Sequence, residues 1–226
     1  MSLASSSHRQ RNRRLLVGLT RSLIVVGLWA SAAPALAGSA AEESDFYRAG
    51  QWEYGFESAY TLRNIPFPTD WAVPNHSRNP VDYKFVTEVL SIRYRLTNSN
   101  GPWIFRGSLA ASASLVGTAI VVGPESYYGG FALGLHYDFV QPRARVVPYF
   151  ELRGGPGFAD SRGQIHTQQQ DLTFTYLLGA GLRYDVNRHW TVTIGALDQH
   201  LSNFYLAEHN YGVDSLGVNI GVLRRF

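Results

Sequence analysis

The chain has 226 residues, a formal net charge of +3, 22 glycines and no cysteine, with 45% hydrophobic, 13% aromatic and only 16% charged residues. The missing cysteine excludes a disulfide framework, a thiolate-held metal and a thiol nucleophile. A soluble domain carries about a quarter charged residues, so this balance fits a wall with lipid on one side and water on the other. The slight basicity does not indicate nucleic acid, because Arg9, Arg11, Arg13, Arg14 and Arg21 gather at the start with no acid among them.

Residues 1–21 are basic and Ser-rich, and the apolar run Ser22–Ala30 leads to a small-residue end at Ala35-Leu36-Ala37. This order reads as a secretory signal peptide over residues 1–37, cleaved after Ala37. A membrane helix needs about 20 apolar residues, and Arg21 interrupts this run. Residues 38–49, with Glu42, Glu43 and Asp45, read as an N-terminal leader, and residues 50–226 as one domain.

From Gly50 onward the hydrophobicity alternates with period two, which predicts strands near 50–62, 83–96, 103–116, 127–140, 145–158, 171–184, 190–203 and 213–226. In the first, Trp52, Tyr54, Phe56, Tyr60 and Leu62 oppose Gln51, Glu53, Glu57 and Thr61; Glu88 breaks the apolar parity of the second. In the sixth, Leu172, Phe174, Tyr176, Leu178 and Leu182 oppose Thr173, Thr175, Gly179 and Arg183. Tight turns at 97–102, 141–144 and 185–189 alternate with longer loops at 63–82, 117–126, 159–170 and 204–212. Long strands, alternating turn lengths and a terminal Phe226 predict an all-β fold: an eight-stranded antiparallel transmembrane β-barrel of a bacterial outer membrane. Closure removes the unpaired edges that lipid does not tolerate. A barrel this small has its lumen filled by side chains, with Glu53, Glu57, Arg93, Arg106, Glu151, Arg153 and Arg183 expected to neutralise one another there and His136 facing inward.

On the seventh strand the outward parity Trp190, Val192, Ile194 and Ala196 continues through Asp198, His200 and Ser202. His200 and Ser202 therefore share one face, about 7 Å apart along the strand. Asp214 has the outward parity of Leu216 and Val218 and returns beside them. A serine nucleophile needs an imidazole base and a carboxylate that holds it, and these three residues supply the set. Asn203, Asn210 and backbone amides of the hairpin are available for an oxyanion. The bland alternative is polar residues that solvate headgroups. Glu208 and His209 read as loop solvation, with Glu208 the reserve acid. His76, His166 and His189 lack metal-ligand spacing, and Gly154-Gly-Pro-Gly157 precedes no helix that would make it a phosphate cradle.

His200-Leu-Ser-Asn203 followed by Asn210-x-Gly212-x-Asp214-Ser215 resembles the signature of the outer-membrane lipid A 3-O-deacylases. Pro148-Tyr-Phe-Glu-Leu-Arg-Gly-Gly155 and Leu178-Gly-Ala-Gly-Leu-Arg-Tyr184 are similar to that family's middle strands. The likeness covers residues 145–226 well and the earlier strands only in general character. It implies an esterase that removes the 3-hydroxyacyl chain at position 3 of lipid A, with Ser202 the nucleophile, His200 the base and Asp214 the third member. Asn210 is then the oxyanion donor, supported by Asn203 and Gly212. The family typically has Glu where this chain has Asp214, one methylene shorter. The resemblance implies lipopolysaccharide and outer-membrane lipids as partners, no cofactor, metal or nucleic acid, and a site near the outer leaflet. It leaves a homodimer open. The competing readings are a non-enzymatic structural or adhesive barrel with a degenerate site, and a small pore.

Overall fold

A computed structural model describes residues 46–63, 81–164, 166–207, 210 and 212–226. The expected signal peptide, most of the leader, His76, Glu208 and His209 lie outside these residues. Eight strands, β1 (Trp52–Arg63), β2 (Lys84–Arg95), β3 (Ser108–Val122), β4 (Tyr127–Asp138), β5 (Val146–Ala159), β6 (Leu172–Asp185), β7 (Trp190–Ser202) and β8 (Val213–Arg225), pair antiparallel in chain order, and β1 closes on β8. Every strand thus has two neighbours, which satisfies the backbone polar groups that lipid leaves unpaired.

The alternation sets the two faces as expected. Val192 and Ile194 of β7 are exposed, as are Leu133 and Leu135 of β4 and Val218 and Ile220 of β8, while Thr191, Thr193, Leu197, Gln199 and Leu201 are buried in the lumen. Glu88 does stand on the outer wall, where its Oε1 accepts a hydrogen bond from Ser58 Oγ at 3.1 Å. Ser58 is its cross-strand partner on β1, so the misplaced acid has a polar neighbour that only the register brings to it.

β3 differs from the expectation at both ends. Trp103–Phe105 form a single 3-10 turn, so the strand begins at Ser108 and runs on to Val122. Thr118 extends the inward parity: its hydroxyl is 3.1 Å from Thr87 Oγ1 and accepts from Gln199 Nε2 at 3.0 Å, which pins this stretch inside the barrel. The β3–β4 connection shrinks to residues 123–126, where Gly123 turns with φ of 144°.

The lumen is packed. At the end where β1 begins and β8 finishes, Arg183 pairs with Glu53 (2.7 Å) and Asp138 (3.1 Å), Arg95 with Asp138 (2.9 Å), and Arg225 with Glu53 and Asp185. Further in, Arg93 and Arg153 share Glu57 and Glu151 at 2.5–3.1 Å. His136 lies between Asp138 and Glu151. Arg106 is a correction: it stands in the β2–β3 connection and donates to the Val140 carbonyl at 2.6 Å. Its expected place is taken by Arg95, Asp138, Asp185 and Arg225, which lie near strand ends. Below them Tyr47 donates to Asp185 Oδ2 at 2.8 Å, with its ring 4.8 Å from the Arg95 guanidinium. Among the described residues the lumen is filled by these side chains, which speaks against the pore reading.

The opposite end of the barrel is tied together by a buried carboxyl. Glu125 accepts from Tyr83 OH at 2.7 Å and meets Ser161 Oγ at 3.1 Å, while Ser161 Oγ also meets Gln168 Oε1 at 3.2 Å. Ser161 Oγ donates to the Glu125 carboxyl, which lies buried among these groups. Burial accordingly pushes the Glu125 carboxyl above its ordinary range, against the lowering effect of its hydrogen bonds. A carboxyl raised in the folded state contributes stability below its ordinary pKa and loses it as pH rises through the folded value. Hydrogen-exchange protection in residues 160–164 and 166–171, corrected for the intrinsic rise of exchange with pH, is therefore expected to fall on that rise, and Glu125→Gln to flatten the dependence. Unchanged pH dependence in the variant would refute this.

Candidate active site

The site stands on the outer wall where β6 and β8 begin and β7 ends. The register makes His200 the direct cross-strand partner of Tyr176 on one side and of Asp214 on the other. His200 Nδ1 lies 2.7 Å from Asp214 Oδ1. Tyr176 stacks on the imidazole at 4.7 Å with 12° between planes, and its hydroxyl donates to the same Asp214 oxygen at 3.2 Å. A carboxylate at Nδ1 favours the tautomer with hydrogen on that nitrogen, leaving the Nε2 lone pair toward the remaining side. The shorter reach of Asp at position 214 is met by direct opposition across the ladder, where side chains are about 4.5–5.5 Å apart at Cβ.

Ser202 occupies the next outward position, opposite Phe174, and is 7% exposed. No hydrogen bond among the described residues joins it to His200. Gly212 lies against the open side of the ring: a Cβ there would come within 3.1 Å of His200 Cε1 and 3.7 Å of Nε2. Gly212→Ala is expected to displace an imidazole already held by Tyr176 and Asp214, lowering kcat about tenfold in a folded barrel. Wild-type kcat in that variant would contradict the packing argument.

Asn203 and Asn210 play different parts. Asn203 is buried with inward parity; its Nδ2 donates to the Gln168 carbonyl at 2.9 Å, and its Oδ1 accepts from Tyr205 N–H at 2.8 Å. Its backbone N–H donates to Asn210 Oδ1 at 3.0 Å. With that oxygen engaged, the Asn210 amide turns its Nδ2 donors the other way. Asn203 thus orients Asn210 and fastens the loop.

By its sequence Tyr176 is one apolar residue of β6. Only the β6–β7 register reveals it as the ring under His200. Asp198, one outward step from His200, is buried, and its oxygens accept no hydrogen bond among the described residues. A groove of about 680 Å³ on the outer wall includes Leu133, Leu135, Phe150, Leu152 and Tyr176, so one end of it meets the site.

The model of the lipid A 3-O-deacylase (PagL) family matches residues 40–222. The chain belongs to the lipid A 3-O-deacylase family. Membership makes it a lipid A deacylase of the outer membrane, in keeping with its closed eight-stranded barrel. Among curated proteins none matches the chain by sequence. The crystal structure of the outer membrane enzyme PagL is similar in fold, with a TM-score of 0.51 and 19% identity over 74% of this chain and 97% of that one. The crystal structure of Neisserial surface protein A gives a TM-score of 0.49 and 14% identity over 79% and 98% of the two chains.

Proposed function

We propose that this deacylase is a serine esterase that removes the 3-hydroxyacyl chain ester-linked at position 3 of lipid A, from a site facing the outer leaflet. The observation that carries the reading is the His200–Asp214 contact of 2.7 Å, with Ser202 one outward step from His200 on the same strand. Asp214 holds the imidazole and stabilises its charged form, and Nε2 is left to take a proton.

Ser202 turns toward Nε2 and its Oγ attacks the acyl carbonyl as the proton passes to His200. Asn210 Nδ2 and the Gly212 backbone amide donate to the oxyanion. Collapse breaks the bond to the sugar oxygen, which receives the proton from the imidazolium. Water activated by the same imidazole then releases the fatty acid from Ser202. Lateral diffusion presents the substrate to a site that already faces the lipid. An export signal ending at Ala37 suits such a location. The contact of Asp214 with His200 speaks against a structural barrel with a degenerate site, and the missing hydrogen bond between Ser202 and His200 among the described residues is the one feature on that reading's side.

Mass spectrometry of lipid A from cells with and without the protein tests the proposal. The expected difference is the loss of one 3-hydroxyacyl chain from position 3, with the other ester-linked chains retained. Loss from another position would refute the regiochemistry, and an unchanged lipid A would refute the activity.

A further inference from the structure

The chain leaves Ser202 through an unusual turn. Leu206 N–H donates to the Asn203 carbonyl at 3.0 Å, and the two central residues, Phe204 and Tyr205, have φ of 53° and 58°. A turn with both central residues left-handed is normally filled by Asn and Gly. Bulky side chains there are strained, and such strain persists only where the surroundings enforce it. Here Asn203 enforces it: its Oδ1 holds Tyr205 N–H, its Nδ2 is anchored on Gln168, and its own N–H is bound by Asn210.

The effect of the strained path is to present apolar surface. Phe204, Tyr205 and Leu206 are 69%, 66% and 61% exposed. The Phe204 ring meets Phe174 edge-on at 4.9 Å, and Phe174 is the cross-strand partner of Ser202. The apolar surface is therefore continuous with the row that holds the serine. A contiguous apolar patch of this kind marks a contact with lipid or another apolar partner. Its continuity with Ser202 selects the molecule that Ser202 acts upon.

We propose that Phe174 and Phe204, with Tyr205 and Leu206, form a shelf that seats a long acyl chain of the lipid substrate beside Ser202, and so set a preference for long-chain over short-chain esters. This rests on Ser202 being the nucleophile. The shelf residues contact substrate and move no proton.

The test is the double variant Phe204→Asn/Tyr205→Gly, whose residues suit a left-handed turn and are expected to keep the hairpin path. Purified wild type and variant are compared in detergent on nitrophenyl dodecanoate and nitrophenyl butanoate. The long-to-short ratio of kcat/KM is expected to fall about tenfold, chiefly through KM for the long ester. An unchanged ratio overturns the shelf. Leu206→Asn leaves both left-handed positions untouched and is expected to lower the ratio several-fold, so it decides the matter if the double variant does not fold. Failure of the underlying reading looks different: the wild type turns over neither ester, or Ser202→Ala turns over both.

Discussion

Ser202→Ala is expected to abolish lipid A deacylation, with kcat falling by about four orders of magnitude or more, while the barrel stays folded and heat-modifiable. The expectation follows from the roles proposed for the three side chains. His200 has one nitrogen committed to Asp214 at 2.7 Å and keeps the other for the serine proton. His200→Asn is expected to cost as much as Ser202→Ala, and the double variant no more than either, because residues that act as a unit lose their effect together. Asp214→Asn turns a holding carboxylate into an amide that can donate to Nδ1 and stabilise the wrong tautomer, for a loss of about 10⁴. Release of fatty acid from purified lipid A measures all of these. Near wild-type release by Ser202→Ala would remove the serine from the mechanism.

Glu57→Ala is expected to destabilise the barrel by about 3–5 kcal/mol, because removing one partner of a buried ion pair leaves charge uncompensated. Glu57 is 3% exposed and accepts from Arg93 Nη2 at 2.6 Å and from both terminal nitrogens of Arg153 at 3.1 and 2.9 Å. Its loss leaves two buried guanidiniums sharing Glu151 alone. Glu57→Gln, which keeps an acceptor of similar size, is expected to cost less. Urea midpoints in detergent measure the difference. An unchanged midpoint for Glu57→Ala would show that water or neighbouring side chains compensate the arginines.

The fold was legible because a wall between lipid and a packed lumen imposes period two on every strand. That rule places Trp52, Leu133 and Ile194 outside and Glu57, Arg153 and Arg183 inside without any knowledge of pairing. It was weaker at strand ends, where residues leave both environments. Trp103–Phe105 look like strand by composition yet form a 3-10 turn, and Gly117-Thr118 look like loop yet lie within β3. Arg106 fell to the same ambiguity, whereas Asp185, expected in the tight turn at 185–189, closes β6 and reaches into the lumen network.

The candidate site was legible in part for a related reason. The spacing of His200 and Ser202 and the parity of Asp214 are properties of single strands, so counting recovers them. Tyr176 reaches His200 only through the β6–β7 register, which no single strand encodes. The buried setting of Asp198 and the orientation of Asn210 by the Asn203 amide depend on loop and neighbour geometry in the same way. The strained Phe204-Tyr205 turn was hidden for a further reason: residue preferences argue against it, and only the hydrogen bonds of Asn203 hold it in place.

The most direct measurement is a chemical trap for the serine itself. Purified protein treated with a long-chain fluorophosphonate, then digested and mapped by mass spectrometry, is predicted to carry one phosphonyl group on Ser202. Labelling is predicted to vanish in His200→Asn, whose serine has no base. A protein that deacylates lipid A while Ser202 stays unmodified, or that carries the group on another residue, would contradict an outward-facing Ser202–His200–Asp214 site.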